Sequence, residues 1–371
     1  MANSRSTLLL LALLAFPAAG QNRTFSDANL EQCVRLELGK ERGKLREEDC
    51  SAVEYLNAEK RDITHLQGIE ELTGLVVLQL TGNAIADLTP IANLRRLTLL
   101  DLGLNDIADL TDLRPLADLR ELNLQNNQIA DVTPLAGLHQ LQMLRLGNNQ
   151  VADLIPLADL KALQYLELES NRIADLTPLG HLHTLMRLKL ADNSIADITP
   201  LADLKALEYL NLWRNQIADL PSLDRLENLQ RLTLSENYIA DLTPLAALHQ
   251  LQSLRLSANQ IADLTPLAQL KNLRELRLAD NRIADLTPLK NLSQLEVLDL
   301  GQNQIADLTP LTHLTQLEVL LVPANRIADL TPLLHLDKLT SLEIWDNPLT
   351  SQVLTEQISQ LLANNIDVHY Q

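Results

Sequence analysis

Thirteen asparagines recur every 22 residues along this chain, and no insertion or deletion interrupts the series. They are Asn83, Asn105, Asn127, Asn149, Asn171, Asn193, Asn215, Asn237, Asn259, Asn281, Asn303, Asn325 and Asn347. Around them the chain follows the frame L-x-x-L-x-L-x-x-N-x-I-A-D-L-T-P-L-x-x-L. A unit this short cannot bury its own apolar face, so successive units must stack. The period therefore predicts an elongated array of coils in place of separate globular domains.

The frame also predicts the shape of each coil. Its second and third leucines are two positions apart, so both lie on the buried face of one short strand. The asparagine turns inward, where its amide can bond to backbone groups of neighbouring coils. The Thr-Pro pair predicts a short 3₁₀ helix with threonine as N-cap and proline as its first residue. We therefore expect an α/β solenoid with a parallel, concave β-sheet and 3₁₀ turns on its convex side.

This frame resembles the leucine-rich repeat, and its 22-residue length resembles the bacterial internalin-like class. The resemblance covers residues 66–347 and implies a horseshoe-shaped solenoid. The same repeat length also occurs in a class of eukaryotic phosphatase regulatory subunits. A phosphatase-regulatory scaffold is therefore one alternative, and it requires that no export signal is used.

Caps are expected at both ends, because a solenoid otherwise exposes its core there. Residues 21–65 hold the N-terminal cap and a degenerate first repeat, and the cap resembles the helical cap of internalin-like proteins. Its two helices are predicted from Ser26-Asp27 to about Leu38 and from about Glu47 to Leu56. Residues 348–371 are predicted to form the C-terminal cap, with a helix over 355–364 and a strand over 366–370.

Cys33 and Cys50 are the two cysteines of the chain, and one lies on each predicted cap helix. In an exported protein such a pair predicts a disulfide. Closing a loop of this size stabilises the fold by about 3 kcal/mol in the chain-entropy model. The alternative is a pair of free, buried thiols.

Residues 1–20 have the pattern of a cleaved signal peptide. Arg5 precedes an apolar run from Leu8 to Phe16, which is too short to span a bilayer, and small residues follow it. No lipid-attachment cysteine, wall anchor or later membrane span is evident in the sequence. We therefore expect a secreted or periplasmic monomer without a stable membrane anchor.

Charge and motifs exclude several functions. The formal net charge is −18, which argues against binding to nucleic acid or to an anionic membrane surface. The sequence contains no catalytic, phosphate-binding or zinc-binding motif, so we expect no enzyme, no cofactor and no metal site. His181, His183, His313 and His335 fall in polar turns and are interpreted as solvated side chains.

A column of twelve aspartates has two interpretations. It comprises Asp87, Asp109, Asp131, Asp153, Asp175, Asp197, Asp219, Asp241, Asp263, Asp285, Asp307 and Asp329. Each carboxylate can accept local backbone N–H bonds, as aspartate commonly does at turns. The alternative is a ladder of divalent cations, as in a cation-binding envelope protein.

The variable positions of the strand face are the candidate binding site. Aromatic and basic residues gather there, and both types are enriched at protein-binding hot spots. The wider set is Met143, Arg145, Tyr165, Arg187, Lys189, Tyr209, Trp213, Arg214, Arg231, Arg255, Arg277 and Trp345. Within it we define the concave patch as Tyr165, Arg187, Lys189, Tyr209, Trp213, Arg231, Arg255 and Arg277.

We therefore predict a non-enzymatic protein that binds a protein or peptide partner on the concave patch. Arginines would pair with ligand carboxylates, and aromatic rings would supply buried area. A carbohydrate ligand could use the same aromatic residues and remains an alternative. A further interpretation is that exposed strand positions simply lack constraint.

Overall fold

Fifteen short parallel strands form one sheet, in the order in which they occur in the chain. The computed structural model describes residues 25–370, so the predicted signal peptide lies outside the described part. The strands are β1 Tyr55–Asn57, β2 Val77–Gln79, β3 Leu99–Asp101, β4 Glu121–Asn123, β5 Met143–Arg145, β6 Tyr165–Glu167, β7 Arg187–Lys189, β8 Tyr209–Asn211, β9 Arg231–Thr233, β10 Ser253–Arg255, β11 Glu275–Arg277, β12 Val297–Asp299, β13 Val319–Leu321, β14 Ser341–Glu343 and β15 Asp367–His369. From β1 to β14 each residue pairs with the residue 22 positions later, as in Leu188 with Leu210. The sequence period is thus the register of the sheet.

Short 3₁₀ helices lie on the opposite side of the coils. They span Ile69–Glu71, Thr89–Ile91, Thr111–Leu113, Thr133–Leu135, Ile155–Leu157, Thr177–Leu179, Thr199–Leu201, Thr243–Leu245, Thr265–Gln269, Thr287–Asn291, Thr309–His313 and Thr331–Leu333. The coil whose frame reads Pro221-Ser222 in place of Thr-Pro has no such helix. The predicted solenoid with 3₁₀ turns is confirmed.

The threonine of the Thr-Pro pair is not the N-cap that the sequence predicted. Thr89 is the first residue of its 3₁₀ helix, Leu88 precedes it, and Pro90 follows it. The capping oxygen comes from Asp87, whose Oδ1 accepts a bond of 2.9 Å from the Thr89 backbone N–H. The column aspartate therefore performs the role assigned to threonine.

The core is a stack of similar apolar layers, with Val151 at the isoleucine position of one coil and Val322 at a leucine position of another. In the central coil, Leu207, Leu210, Leu212 and Ile217 are all fully buried. Burying a leucine side chain stabilises a fold by about 2 kcal/mol, and this layer recurs in every coil.

The asparagine ladder holds these layers together. Nδ2 of Asn215 donates to the carbonyls of Leu190 and Leu212 at 2.9 and 3.2 Å. Its Oδ1 accepts from the backbone N–H of Ile195 at 3.0 Å. Ile195 and Leu190 belong to the preceding coil, so each such side chain joins two coils. The same pattern recurs from Asn83 to Asn347.

The N-terminal cap contains two helices, α1 Ala28–Glu37 and α2 Glu47–Ser51. Asp27 caps α1 as expected, accepting bonds from the N–H groups of Asn29 and Leu30 at 2.9 and 3.2 Å. The second helix is shorter than predicted, because Leu56 lies in β1 and pairs with Leu78 of the next coil. Sheet pairing thus overrides the helical pattern there.

The predicted disulfide is not formed in the structure. Cys33 and Cys50 are both buried free thiols. Burial raises the pKa of each thiol, and the charges acting on them differ: Arg61 and Asp27 on Cys33, but chiefly Glu71 and Asp49 on Cys50. Both thiols lie in the apolar core of the cap, and no disulfide joins them.

The C-terminal cap consists of α3 Ser351–Ala363 and β15, close to the predicted bounds. Val353, Ile358 and Leu361 of α3 are buried against the last coils. Gln357 docks the helix, accepting from the Leu330 N–H at 2.7 Å. Among the helices of residues 25–370, none is both long and apolar enough to cross a membrane.

Candidate ligand-binding face

The carboxylates of the aspartate column accept hydrogen bonds from nearby backbone N–H groups. Eleven of its twelve members accept from the backbone N–H two residues later, at 2.8 to 3.0 Å. The exception is Asp219, because Pro221 has no N–H to donate. Eleven carboxylates thus bond to their own turn, as the first interpretation of the column states. Among the described residues, no group of three or more His, Cys, Asp or Glu side chains is arranged to hold a metal ion.

These bonds make the column sensitive to acid. In Asp131, Asp175, Asp197 and Asp241 the neighbouring threonine hydroxyl and then its backbone N–H hold the pKa of the carboxyl below its usual range. A lowered folded-state pKa contributes stability above the ordinary aspartate value of about 3.9. That contribution is lost as the pH falls through the folded-state pKa.

Replacing these four aspartates by asparagine is expected to flatten the acid dependence of the melting temperature. The amide oxygen can still accept the backbone bond but cannot be protonated. Melting followed by circular dichroism from about pH 6 to about pH 2 would show it. The control is Asp118, Asp219, Asp280 and Asp337 to asparagine, which changes the net charge equally at exposed positions. Equal flattening in both variants would contradict the capping role.

The first residues of successive strands lie side by side on the concave face, and we term this line the first concave row. Tyrosine and arginine alternate along it from β6 to β9. Tyr165, Arg187, Tyr209 and Arg231 are direct neighbours across β6, β7, β8 and β9. The Arg187 guanidinium lies 5.8 Å from the centre of the Tyr165 ring, within cation–π range. Within the described chain, neither Arg187 nor Arg231 forms a salt bridge. Both arginines therefore lack a carboxylate partner within the described chain, and Arg187 also contacts the Tyr165 ring.

The other basic residues of the strands are paired. Glu167 lies 2.7 Å from Lys189 and 3.6 Å from Arg145. Although burial disfavours its charge, the bond to Glu167 raises the pKa of Lys189. The salt bridge to Glu167 holds the Lys189 ammonium against the strand surface and leaves it less available to a ligand.

A second carboxylate plays the same role farther along the face. Glu275 lies 3.0 Å from Arg255 and 2.6 Å from Arg277. Although burial disfavours its charge, hydrogen bonds from Arg277 and Ser253 keep the pKa of Glu275 below its usual range. Glu167 and Glu275 are not among the residues predicted from the sequence to bind a ligand, although their frame positions place both on the concave face.

Two shallow depressions occupy this face. The first has a volume of about 340 Å³ and is lined by Met143, Arg145, Tyr165, Glu167, Arg187, Lys189, Tyr209 and Arg231. The second has a volume of about 330 Å³ and is lined by Tyr209, Asn211, Trp213, Thr233, Ser235 and Arg255. Tyr209 is common to both. Of the concave patch, only Arg277 lies outside the two depressions.

Trp213 forms the rim of the second depression. Its indole Nε1 donates to Glu236 at 3.1 Å, and the Arg214 guanidinium lies 6.0 Å from its ring centre. Trp213 remains 36% exposed. Trp345 is on the same face but lies six repeats away. The structure therefore brings together all of the aromatic residues of the patch and excludes Trp345.

Glu169 follows β6 in the chain, and its carboxylate is poorly solvated by hydrogen bonds. Its Oε2 is buried without a hydrogen-bond partner among the described residues. Burial and then the charge of Glu167 raise the pKa of this carboxyl. The side chain fills the space over Gly147, where an added Cβ would lie 2.9 Å from its carboxyl carbon. Glycine at this position lets the glutamate pack.

Comparison with known proteins agrees with this architecture. The family model described as leucine-rich repeats in two copies matches residues 117–158, 139–181, 184–225, 227–269 and 271–313, which is just over half of the chain. An internalin (inlF) of Listeria monocytogenes is 34% identical, with 94% of this chain and 96% of that chain covered and a TM-score of 0.77. The chain is an internalin-like leucine-rich repeat protein.

Two further leucine-rich repeat structures support the fold alone, at 24% identity. The functional domain of InlJ from Listeria monocytogenes has a TM-score of 0.77 and covers 95% of this chain and 81% of its own. A leucine-rich repeat protein of Leptospira interrogans has a TM-score of 0.70, covering 87% of this chain and 97% of its own. Among curated proteins none matches this sequence. Leucine-rich repeat scaffolds generally serve protein–protein interaction and are generally non-enzymatic.

Proposed function

We propose that this leucine-rich repeat protein is exported and binds a protein or peptide partner on its concave patch, without catalysis. One observation carries the proposal: every lysine and arginine of the fifteen strands lies in β5–β11. These seven strands, which we term the central band, hold six basic residues and two glutamates. The band has a net charge of +4 in a chain of −18. The flanking strands carry only acidic charges apart from a histidine.

The chemistry of the patch favours a protein ligand. Tyrosine, tryptophan and arginine dominate protein-binding hot spots, and all three meet around Tyr209. The depressions are open and shallow, which suits a polypeptide lying across the sheet better than a small molecule, since small molecules usually require an enclosing cleft. Selective binding to a glycan array, with no protein captured, would favour the carbohydrate alternative.

Export, the monomeric state and the domain limits are part of the same proposal. The signal-like pattern of residues 1–20 supports export, and fractionation of tagged cells would test it. A cytosolic location would favour the phosphatase-regulatory alternative. The caps support a monomer, because they cover the apolar ends through which arrays could otherwise stack.

The two tryptophans of the chain allow a direct test of where a partner binds. In a Trp345→Phe variant the fluorescence reports Trp213 alone. Adding the partner recovered by affinity capture is expected to reduce acrylamide quenching of Trp213 by about half, because interface hot spots become shielded from water. The matched variant is Trp213→Phe, in which Trp345 should be quenched equally with and without partner. Protection of Trp345 alone would contradict the proposed site.

A further inference from the structure

Fewer basic residues are free to bind a ligand on the concave face than the net charge of the central band suggests. Four of the six basic residues of the band are held by Glu167 or Glu275. Arg187 and Arg231 are the two without a salt bridge in the described chain, and both are exposed. A ligand with carboxylates therefore meets two separate points of attachment.

These two arginines have a fixed spacing. Both are in the first concave row, where Arg187 pairs with Tyr209 and Tyr209 pairs with Arg231. Neighbouring strands lie about 4.8 Å apart, so the two arginine positions are about 9.6 Å apart along the array. The Tyr209 ring occupies the interval between them.

This spacing selects among ligand conformations. A polyproline II segment rises about 3.1 Å per residue with three residues per turn. Its residues i and i+3 therefore point the same way and are about 9.3 Å apart. In an extended β-strand the same-face residues i and i+2 are about 6.7 Å apart, and on an α-helix i and i+4 are about 6 Å apart. The polyproline II period is the nearest to the spacing of the two arginine positions, since the next same-face pair on an α-helix, i and i+7, is about 10.5 Å apart.

We propose that the concave patch recognises an extended, polyproline II-type peptide with acidic side chains at positions i and i+3. The segment lies across the strands, one carboxylate pairs with Arg187, and the other pairs with Arg231. The two residues between them rest on Tyr209, as aromatic grooves receive polyproline II ligands. This assignment rests on the proposed concave-face function and names its ligand class.

The test uses fluorescein-labelled proline-rich peptides that carry two glutamates separated by one, two or three prolines. Binding to the full chain is followed by fluorescence polarisation. The peptide with two intervening prolines is expected to bind about tenfold more tightly than the others, because only it forms both charged pairs. Arg187→Gln and Arg231→Gln should each remove that preference. Arg326→Gln, an exposed arginine outside the strands, is the control and should retain it.

Three outcomes would overturn the inference. Equal binding at every spacing would indicate unspecific charge attraction. Tighter binding of a helical acidic peptide, or of a single-stranded oligonucleotide, would assign another ligand class. Absence of peptide binding, with partner capture still dependent on Tyr209 and Trp213, would reject this ligand and leave the concave-face function intact. Partner capture that is insensitive to both residues would reject the function itself.

Discussion

Replacing Tyr209, Trp213 and Arg231 together by alanine is expected to abolish capture of the partner while the protein remains folded. Truncating a hot-spot residue costs about 2 kcal/mol or more, so three additive losses weaken binding by about ten-thousandfold or more. The three side chains are exposed or half-buried on the strand surface, whereas Leu210 and Leu232 beneath them stay in the core. The melting temperature should therefore change by no more than about 2 °C.

The matched control removes the same residue types elsewhere. Tyr55, Trp345 and Arg326 are exposed, and all three lie outside the concave patch. Their combined replacement by alanine should leave capture unchanged. Immobilised baits of both variants and of the unaltered chain are compared by quantitative mass spectrometry of the bound proteins. If both triple variants capture the partner equally well, the concave patch is not the binding site.

Asn215→Ala is expected to cost about 2–4 kcal/mol of the free energy of unfolding. The side chain is only 6% exposed, and it satisfies the Ile195 N–H and the Leu190 carbonyl of the preceding coil. Its removal leaves the Ile195 N–H buried without a partner, which costs about 1–3 kcal/mol. The Leu190 carbonyl loses one of its two amide donors and keeps Asn193, so this loss adds about 1 kcal/mol. Because coils interact only with their neighbours, the array should also unfold less cooperatively.

Urea unfolding followed by circular dichroism measures both effects. Asn228→Ala is the control, since its exposed amide makes a single bond of 2.9 Å to the Lys205 carbonyl. That variant should lose less than about 1 kcal/mol. A similar small loss in both variants would show that the ladder amide is replaced by water and does not couple the coils.

Much of the fold was predictable because one unit is repeated without insertion. The leucine spacing sets the strand face, and the constant period sets the register, so Tyr165, Arg187, Tyr209 and Arg231 could be placed in one row before the structure was known. The same period predicts that the concave patch lies on the strand face. The role of the patch in binding stays a prediction.

Two local predictions were wrong, the N-cap of the 3₁₀ helices and the end of α2, and in both a backbone group had more than one available hydrogen-bond partner. Thr-Pro suggested a threonine cap, but Asp87 reaches the Thr89 N–H first and makes the threonine the first helical residue. The helical pattern after Glu47 extended to Leu56, yet pairing with β2 ended α2 at Ser51. In both cases a competing hydrogen bond decided the local structure.

The sequence by itself determined the solenoid, the layers of its core and the face on which variable residues lie, because these follow from a strict period and the side-chain geometry of strands. Only the tertiary structure decided which charges are free. Glu167 could have paired with Arg187 as well as with Lys189 or Arg145, and its geometry selects the last two. Within residues 25–370 Arg187 therefore forms no salt bridge, since salt bridges depend on side-chain directions across coils that the sequence alone does not specify.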